Sequence, residues 1–188
     1  MARPSCCLFV VALLVCVNST ISQTEVSNED RDHALYTLAE TCPYDACPAN
    51  WPPRAAGRDA CYIYCGDQKE WTAARDACGE IGGKLVKFES DAEVATVRNF
   101  VMSTYKLDQF GSVWTGLNDR SNEGTYVWDG FGGSLSTSSS LWGAGHPDNV
   151  YNFWYRSDED CVELRGRKLN DLYCADELPF VCEYHPLD

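Results

Sequence analysis

The sequence predicts a mixed α+β domain, with two helices flanking short antiparallel strands, a long structured loop region and disulfide stabilisation. Three observations predict it. Two segments place apolar residues at helical spacing behind capping residues, and short runs rich in β-branched and aromatic residues surround them. Between Trp128 and Cys161 the chain shows no regular period, yet its tryptophans, tyrosines, prolines and acids are not the composition of a disordered tract. Beyond the N-terminal leader the cysteines are even in number, which in an exported chain reads as disulfides.

The leader comes first. Arg3 supplies one positive charge, Leu8 to Val17 is an unbroken apolar run, and small polar residues Asn18, Ser19, Thr20 and Ser22 follow. That order predicts a secretory signal peptide over residues 1–22, the apolar run being too short for a membrane span. An uncleaved anchor is the alternative. Residues 23–46 are polar and charged and read as a linker or short helix. Pro43, Pro48, Pro52 and Pro53 rule out regular structure at the start of the domain, placed at 47–185.

Two capping boxes set the helices. Asp67 followed by Glu70 predicts a helix over about 68–80, with Trp71, Ala74 and Cys78 on one face and Gly82 and Gly83 stopping it. Ser90 followed by Glu93 predicts a second over about 91–105, with Val94, Val97, Phe100 and Val101 inward. Strands are expected at Cys61–Tyr64, Lys84–Phe88, Val113–Leu117, Thr125–Trp128, Cys161–Leu164, Lys168–Tyr173 and Pro179–Tyr184.

Charge and cysteine use narrow the function. The formal net charge is −13, and the leader contributes only Arg3, so the mature chain sits near −14. Such acidity disfavours nucleic acid as a partner and offers no cationic face to anionic lipid. It suits calcium or a mineral surface, but simple solubility is the plainer reading. Cys42, Cys47, Cys61, Cys65, Cys78, Cys161, Cys174 and Cys182 remain after the leader; with no C-x-x-C and no H-x-x-x-H spacing, a zinc-finger use of them is set aside. No G-x-S-x-G, metalloprotease helix or phosphate-binding glycine loop occurs, and only His33, His146 and His185 could serve as imidazole bases, so an enzyme is not expected. After the leader no apolar run is long enough for membrane insertion, which predicts a soluble, secreted product.

Asp148, Glu159, Asn170 and Asp171 bring carboxylates and an amide from three segments, a donor set that suits calcium's taste for six to eight oxygens. Taken alone, Asn170-Asp171 reads sooner as a turn and Asp158 to Asp160 as a solvated acidic run, since loops collect such residues.

From Cys47 to Tyr184 the chain resembles the C-type lectin-like domain, in its long form with an N-terminal hairpin. The resemblance rests on Cys47-Pro-Ala-Asn-Trp51, Cys61-Tyr62, Trp71-x-x-Ala74-x-x-x-Cys78, Gly83-x-Leu85 and Trp114-Thr-Gly-Leu117. It continues through Glu123-Gly124, Trp128, Trp142, Pro147-Asp148, Glu159-Asp-Cys161, Leu169-Asn-Asp171 and Phe180-Val-Cys-Glu183. It implies the disulfides Cys78–Cys182, Cys161–Cys174 and Cys47–Cys61. Cys42 and Cys65 are left to bond each other or to join two chains as a homo-oligomer.

The resemblance also implies Ca2+ as cofactor, held by Asp148, Glu159, Asn170 and Asp171 with His146 completing the sugar contact, and a cis bond before Pro147. A second calcium would take Asp119, Glu123 and Asp160, with Asn149 where the family has Asp. Asp148 after Pro147 resembles the galactose-type Gln-Pro-Asp motif with His146 replacing Gln. Val150 stands where those members carry a stacking Trp, so Tyr151 or Trp154 would supply the ring face. Calcium prefers oxygen, so His146 is expected to hydrogen-bond a sugar hydroxyl while the other four hold the ion. The expected function is a secreted calcium-dependent lectin binding glycans of galactose type, in innate recognition or agglutination. The competing reading is a lectin-like domain without sugar binding that recognises a protein or an acidic, mineral or ice surface.

Overall fold

The computed structural model describes residues 47, 51, 60–107, 109–151, 153 and 157–185. The signal peptide, the extension at 23–46, Cys42 and Trp154 lie outside the described residues. The elements run β1 (Cys61–Lys69), α1 (Trp71–Glu80), β2 (Lys84–Leu85), α2 (Asp91–Tyr105), β3 (Ser112–Asn118), β4 (Val127–Trp128), β5 (Cys161–Arg165), β6 (Lys168–Leu172) and β7 (Leu178–Tyr184). The strands join one sheet in the order β1-β7-β3-β5-β6, with β2 added on β7 and β4 on β3. Every pairing is antiparallel except β3 against β7.

Alternation along the strands divides the side chains between two cores. Val113, Leu117, Tyr62 and Val181 join Val94, Val97 and Val101 of α2 in one apolar cluster. Their strand neighbours Trp114, Cys61, Phe180 and Cys182 join Trp71, Ala74 and Cys78 of α1 in the other. Burial on both faces explains why β3 reads as a continuous apolar run. The cysteines segregate as well. Cys47–Cys61, Cys78–Cys182 and Cys161–Cys174 are bonded as expected, and all six lie in or against the α1 cluster. Cys65 is disulfide-bonded too and sits in the same cluster.

The two helix starts differ from each other. At α2 the Ser90 half of the expected box forms, Ser90 Oγ accepting from Glu93 N at 3.2 Å, while Glu93 Oε2 accepts from the N–H of Glu89, one residue before the cap, at 2.8 Å. The box expected at Asp67 does not form, because β1 continues to Lys69 and pairs with Leu178 after a bulge. Helix α1 begins at Trp71, whose N–H donates to the Cys174 carbonyl at 3.0 Å, and Glu70 provides no side-chain cap. A tertiary carbonyl thus does what a side-chain cap would do. Gly82, at φ +80°, ends α1 as expected. Gly83 is required for a different reason: a Cβ there would meet the Trp51 ring at 2.8 Å and the Glu183 carbonyl at 2.9 Å. The strand expected over Lys84–Phe88 keeps ladder pairing only at Lys84–Leu85. Val86 still donates to Val181 O and accepts from Gly116 N, both at 2.9 Å.

Candidate functional site

One end of the sheet collects the acidic segments. Asn118 closes β3 opposite Cys161, and Cys161 opens β5 opposite Leu172 of β6. Asp119 follows β3, Glu159 and Asp160 precede β5, and Asn170 and Asp171 lie on β6.

The long loop docks onto this end by its own backbone. Gly143 N donates to Leu169 O and Leu169 N to Leu141 O, each at 2.9 Å, so Trp142 lies beside β6. The Trp142 indole donates to Ser136 O at 3.1 Å, and its ring meets Tyr126 edge-on at 4.8 Å. His146 N then donates to Gly143 O at 3.1 Å. A Cβ at Gly143 would begin 3.2 Å from the His146 ring and press on the imidazole. The His146–Pro147 bond is cis, as expected. Beyond it, Asn149 N donates to Asp171 Oδ2 at 2.7 Å and Val150 N to Glu159 Oε2 at 3.2 Å.

Two groups of ligating side chains result. In the first, His146 Nδ1 lies 3.1 Å from Asp171 Oδ1 and 3.3 Å from Asp148 Oδ1. Asp171 is fully buried and Asp148 half-exposed. Glu159 adjoins both acids: burial first, then Asp171 and Asp148, push its carboxyl up to about 7. Asn170, beside Asp171 on β6, is held by its amide nitrogen. Its amide donates to Glu163 Oε1, directly across the ladder, and to the Asp171 carbonyl, each at 3.0 Å.

The second group comprises Asp119, Glu123 and Asp160, whose ligand oxygens lie within 4.8 Å of one another. Asn149 joins it, donating from Nδ2 to Glu123 Oε1 at 2.6 Å. Burial and the neighbouring acids Glu123 and Asp160 raise Asp119 to about 6, against the N–H of Gly124 that lowers it. Burial, with Asp158 beside it, also pushes Asp160 up.

Oxygen donors crowd both places. Asp119 Oδ1 and Asn149 Oδ1 are buried without a hydrogen-bond partner. Acceptors left without a donor beside mutually repelling carboxylates are what a hard cation satisfies, so the residues of the second group fit a calcium ion.

Sequence reasoning missed three residues here. The Tyr126 hydroxyl donates to Asp171 Oδ2 at 3.5 Å, and burial followed by Asp119, Asp171 and Glu123 drives its pKa upward. Glu163, almost wholly buried, holds Asn170. Both read as ordinary strand residues, and no local signal marks them. Phe153 is 84% exposed and meets Tyr151, itself 45% exposed, edge-on at 5.1 Å; its place in the aromatic run after Asn149 was the available signal.

Comparison with known proteins agrees with this architecture. The family model described as "Lectin C-type domain" matches residues 67–184. CD209 antigen-like protein D of Mus musculus is 32% identical over 181 residues, covering 94% of this chain and 68% of that protein. The cow C-type carbohydrate-recognition domain of CD23, solved in the presence of a GlcNAc2Man3 oligosaccharide, superposes with a TM-score of 0.61 at 28% identity. That match covers 75% of this chain and 97% of the CD23 domain. A calcium-independent type II antifreeze protein shares the fold, with a TM-score of 0.57 at 19% identity over 74% of this chain and 94% of its own. The chain belongs to the C-type lectin domain family. Its fold is therefore that of a carbohydrate-recognition domain, in a family that binds rather than catalyses. Among the described residues no helix is long and apolar enough to cross a membrane.

Proposed function

We propose that this protein is a secreted, calcium-dependent lectin that binds glycans through the loop beside β6, with a leaning to galactose-type ligands and a role in innate recognition or agglutination. The observation that carries the reading is the convergence of His146, Asp148, Glu159 and Asp171 around the cis His146–Pro147 bond. Asp148, Glu159, Asn170 and Asp171 would hold one ion, and Asp119, Glu123, Asp160 and Asn149 a second. Bound calcium supplies open coordination positions that sugar hydroxyls can fill.

The chain's own residues do the rest. The N–H groups of Asn149 and Val150 fix one oxygen each of Asp171 and Glu159, and the other Asp171 oxygen faces His146 Nδ1. Asp148 after Pro147 supports the galactose leaning, and the Tyr151 ring, half-exposed, offers an apolar face to a sugar. The disulfides and the leader support passage through an oxidising compartment.

A glycan array probed with calcium and then with chelator tests the reading. Galactose-type signals that vanish with chelator are expected. A folded protein that binds no glycan would favour the lectin-like alternative, a protein or surface binder, for which the imidazole seated between two carboxylates speaks.

A further inference from the structure

We infer that a zinc-class transition-metal ion binds at His146, Asp148 and Asp171 and competes there with calcium. The inference rests on the reading of this cluster as the sugar-side cation site and names a second ion for it. His146 Nδ1, an Asp148 oxygen and an Asp171 oxygen all lie within 4.8 Å of one another. Nitrogen is a poor donor to calcium and a good one to first-row transition ions, whereas one imidazole with carboxylates is an ordinary zinc donor set.

The spacing suits a small ion. An ion about 2.1 Å from each donor, as zinc sits from nitrogen and carboxylate oxygen, would subtend about 95° to 105° across the observed separations of 3.1 and 3.3 Å. Those angles lie between octahedral and tetrahedral values, so the ion needs no rearrangement of these two pairs. A half-exposed Asp148 leaves the cluster open to solvent for loading.

The supporting contacts fix the donors. Asp171 Oδ2 is occupied by the Asn149 N–H and the Tyr126 hydroxyl, which leaves Oδ1 turned to the imidazole. Such outer contacts orient ligands and strengthen metal binding. The second cluster contains no nitrogen ligand of this kind, so it keeps its preference for calcium.

The test is a metal titration of the purified secreted protein, stripped with chelator and with no glycan present. Calorimetry with zinc chloride should show one equivalent bound, and His146→Gln should weaken it about tenfold or more without weakening calcium. Cobalt(II) should give a visible absorption band in the natural protein that His146→Gln abolishes. Saturating zinc should remove one equivalent of calcium binding. His185→Gln, which changes an imidazole outside the cluster, should leave zinc binding as it was. If His146→Gln proves misfolded by near-ultraviolet dichroism, His146→Asn takes its place.

Equal zinc affinity in the natural and variant proteins, or no zinc bound below about 100 μM, would overturn the proposal and leave His146 a hydrogen-bonding residue only. A glycan array that stays blank bears on the lectin reading alone, since the metal titrations contain no sugar.

Discussion

Asp119→Asn should stabilise the calcium-free protein. Asp119 is 1% exposed, and burial with Glu123 and Asp160 nearby raises its carboxyl from 3.8 to about 6. The folded state therefore holds a proton that the unfolded chain has released between those two values. Stability from this group is fully present below pH 3.8 and is lost as pH rises through about 6. Glu159, raised from 4.5 to about 7, acts in the same direction. Two units correspond to roughly 3 kcal/mol; solvent reaching Glu123 and Asp160 should reduce the realised cost to about half that. The amide of asparagine can still accept from Gly124 N at the 2.8 Å contact that Asp119 Oδ2 now makes. In chelator at pH 7.5 the variant should melt about 3–6 °C higher. The natural protein should gain stability between pH 7.5 and 5, and the variant should gain less. Saturating calcium should reverse the order, because the carboxylate then has its counter-ion. A natural protein whose chelated melting temperature is flat or climbs with pH would refute the reasoning.

Four further outcomes follow from the same structure. Trp142→Ala removes a nearly buried ring and its bond to Ser136 O; chemical denaturation should show a loss of about 3–5 kcal/mol, and glycan binding should fall with it. Asp171→Asn keeps the volume but takes one carboxylate from the His146 cluster, and calorimetry should then detect one fewer bound cation. Ser90→Ala deletes the α2 cap at a cost of about 1 kcal/mol, with glycan affinity unchanged because the Ser90 hydroxyl bonds to Glu93 N within its own helix and touches no cation-site side chain. Gly83→Ala drives a methyl into the Trp51 ring and the Glu183 carbonyl, and its melting temperature should drop by an amount that matches about 1–3 kcal/mol.

The parts of the molecule legible in the sequence are those governed by neighbours in the chain. The α2 cap is Ser90 acting on Glu93, three residues away, and the Val94, Val97, Val101 stripe is plain periodicity. The disulfides and the loop acids came from a resemblance that spans the domain. What stayed hidden is set by distant partners. No rule of local spacing could say that the Cys174 carbonyl, rather than Asp67, would start α1. Tyr126 looks like any strand aromatic, and only folding sets its hydroxyl against Asp171, 45 residues on. Glu163 likewise becomes Asn170's partner through strand register alone. Val150, Tyr151 and Phe153 form an exposed apolar group that composition did not separate from inward-packed aromatics.

The long loop leaves the sheet after Trp128 and rejoins it at Cys161, and those two residues pair with adjacent positions of β3, Leu117 and Asn118. Departure and return are thus anchored to one point of a strand that is buried on both faces. Doubling the length of such an excursion adds only about 0.6 kcal/mol of closure entropy. The domain is in effect a socket. The core beneath, with Leu141 and Trp142 reaching into it from the excursion, carries the stability, while the stretch between Trp142 and Cys161 can be lengthened, exchanged or grafted to change what is recognised without rebuilding the fold beneath.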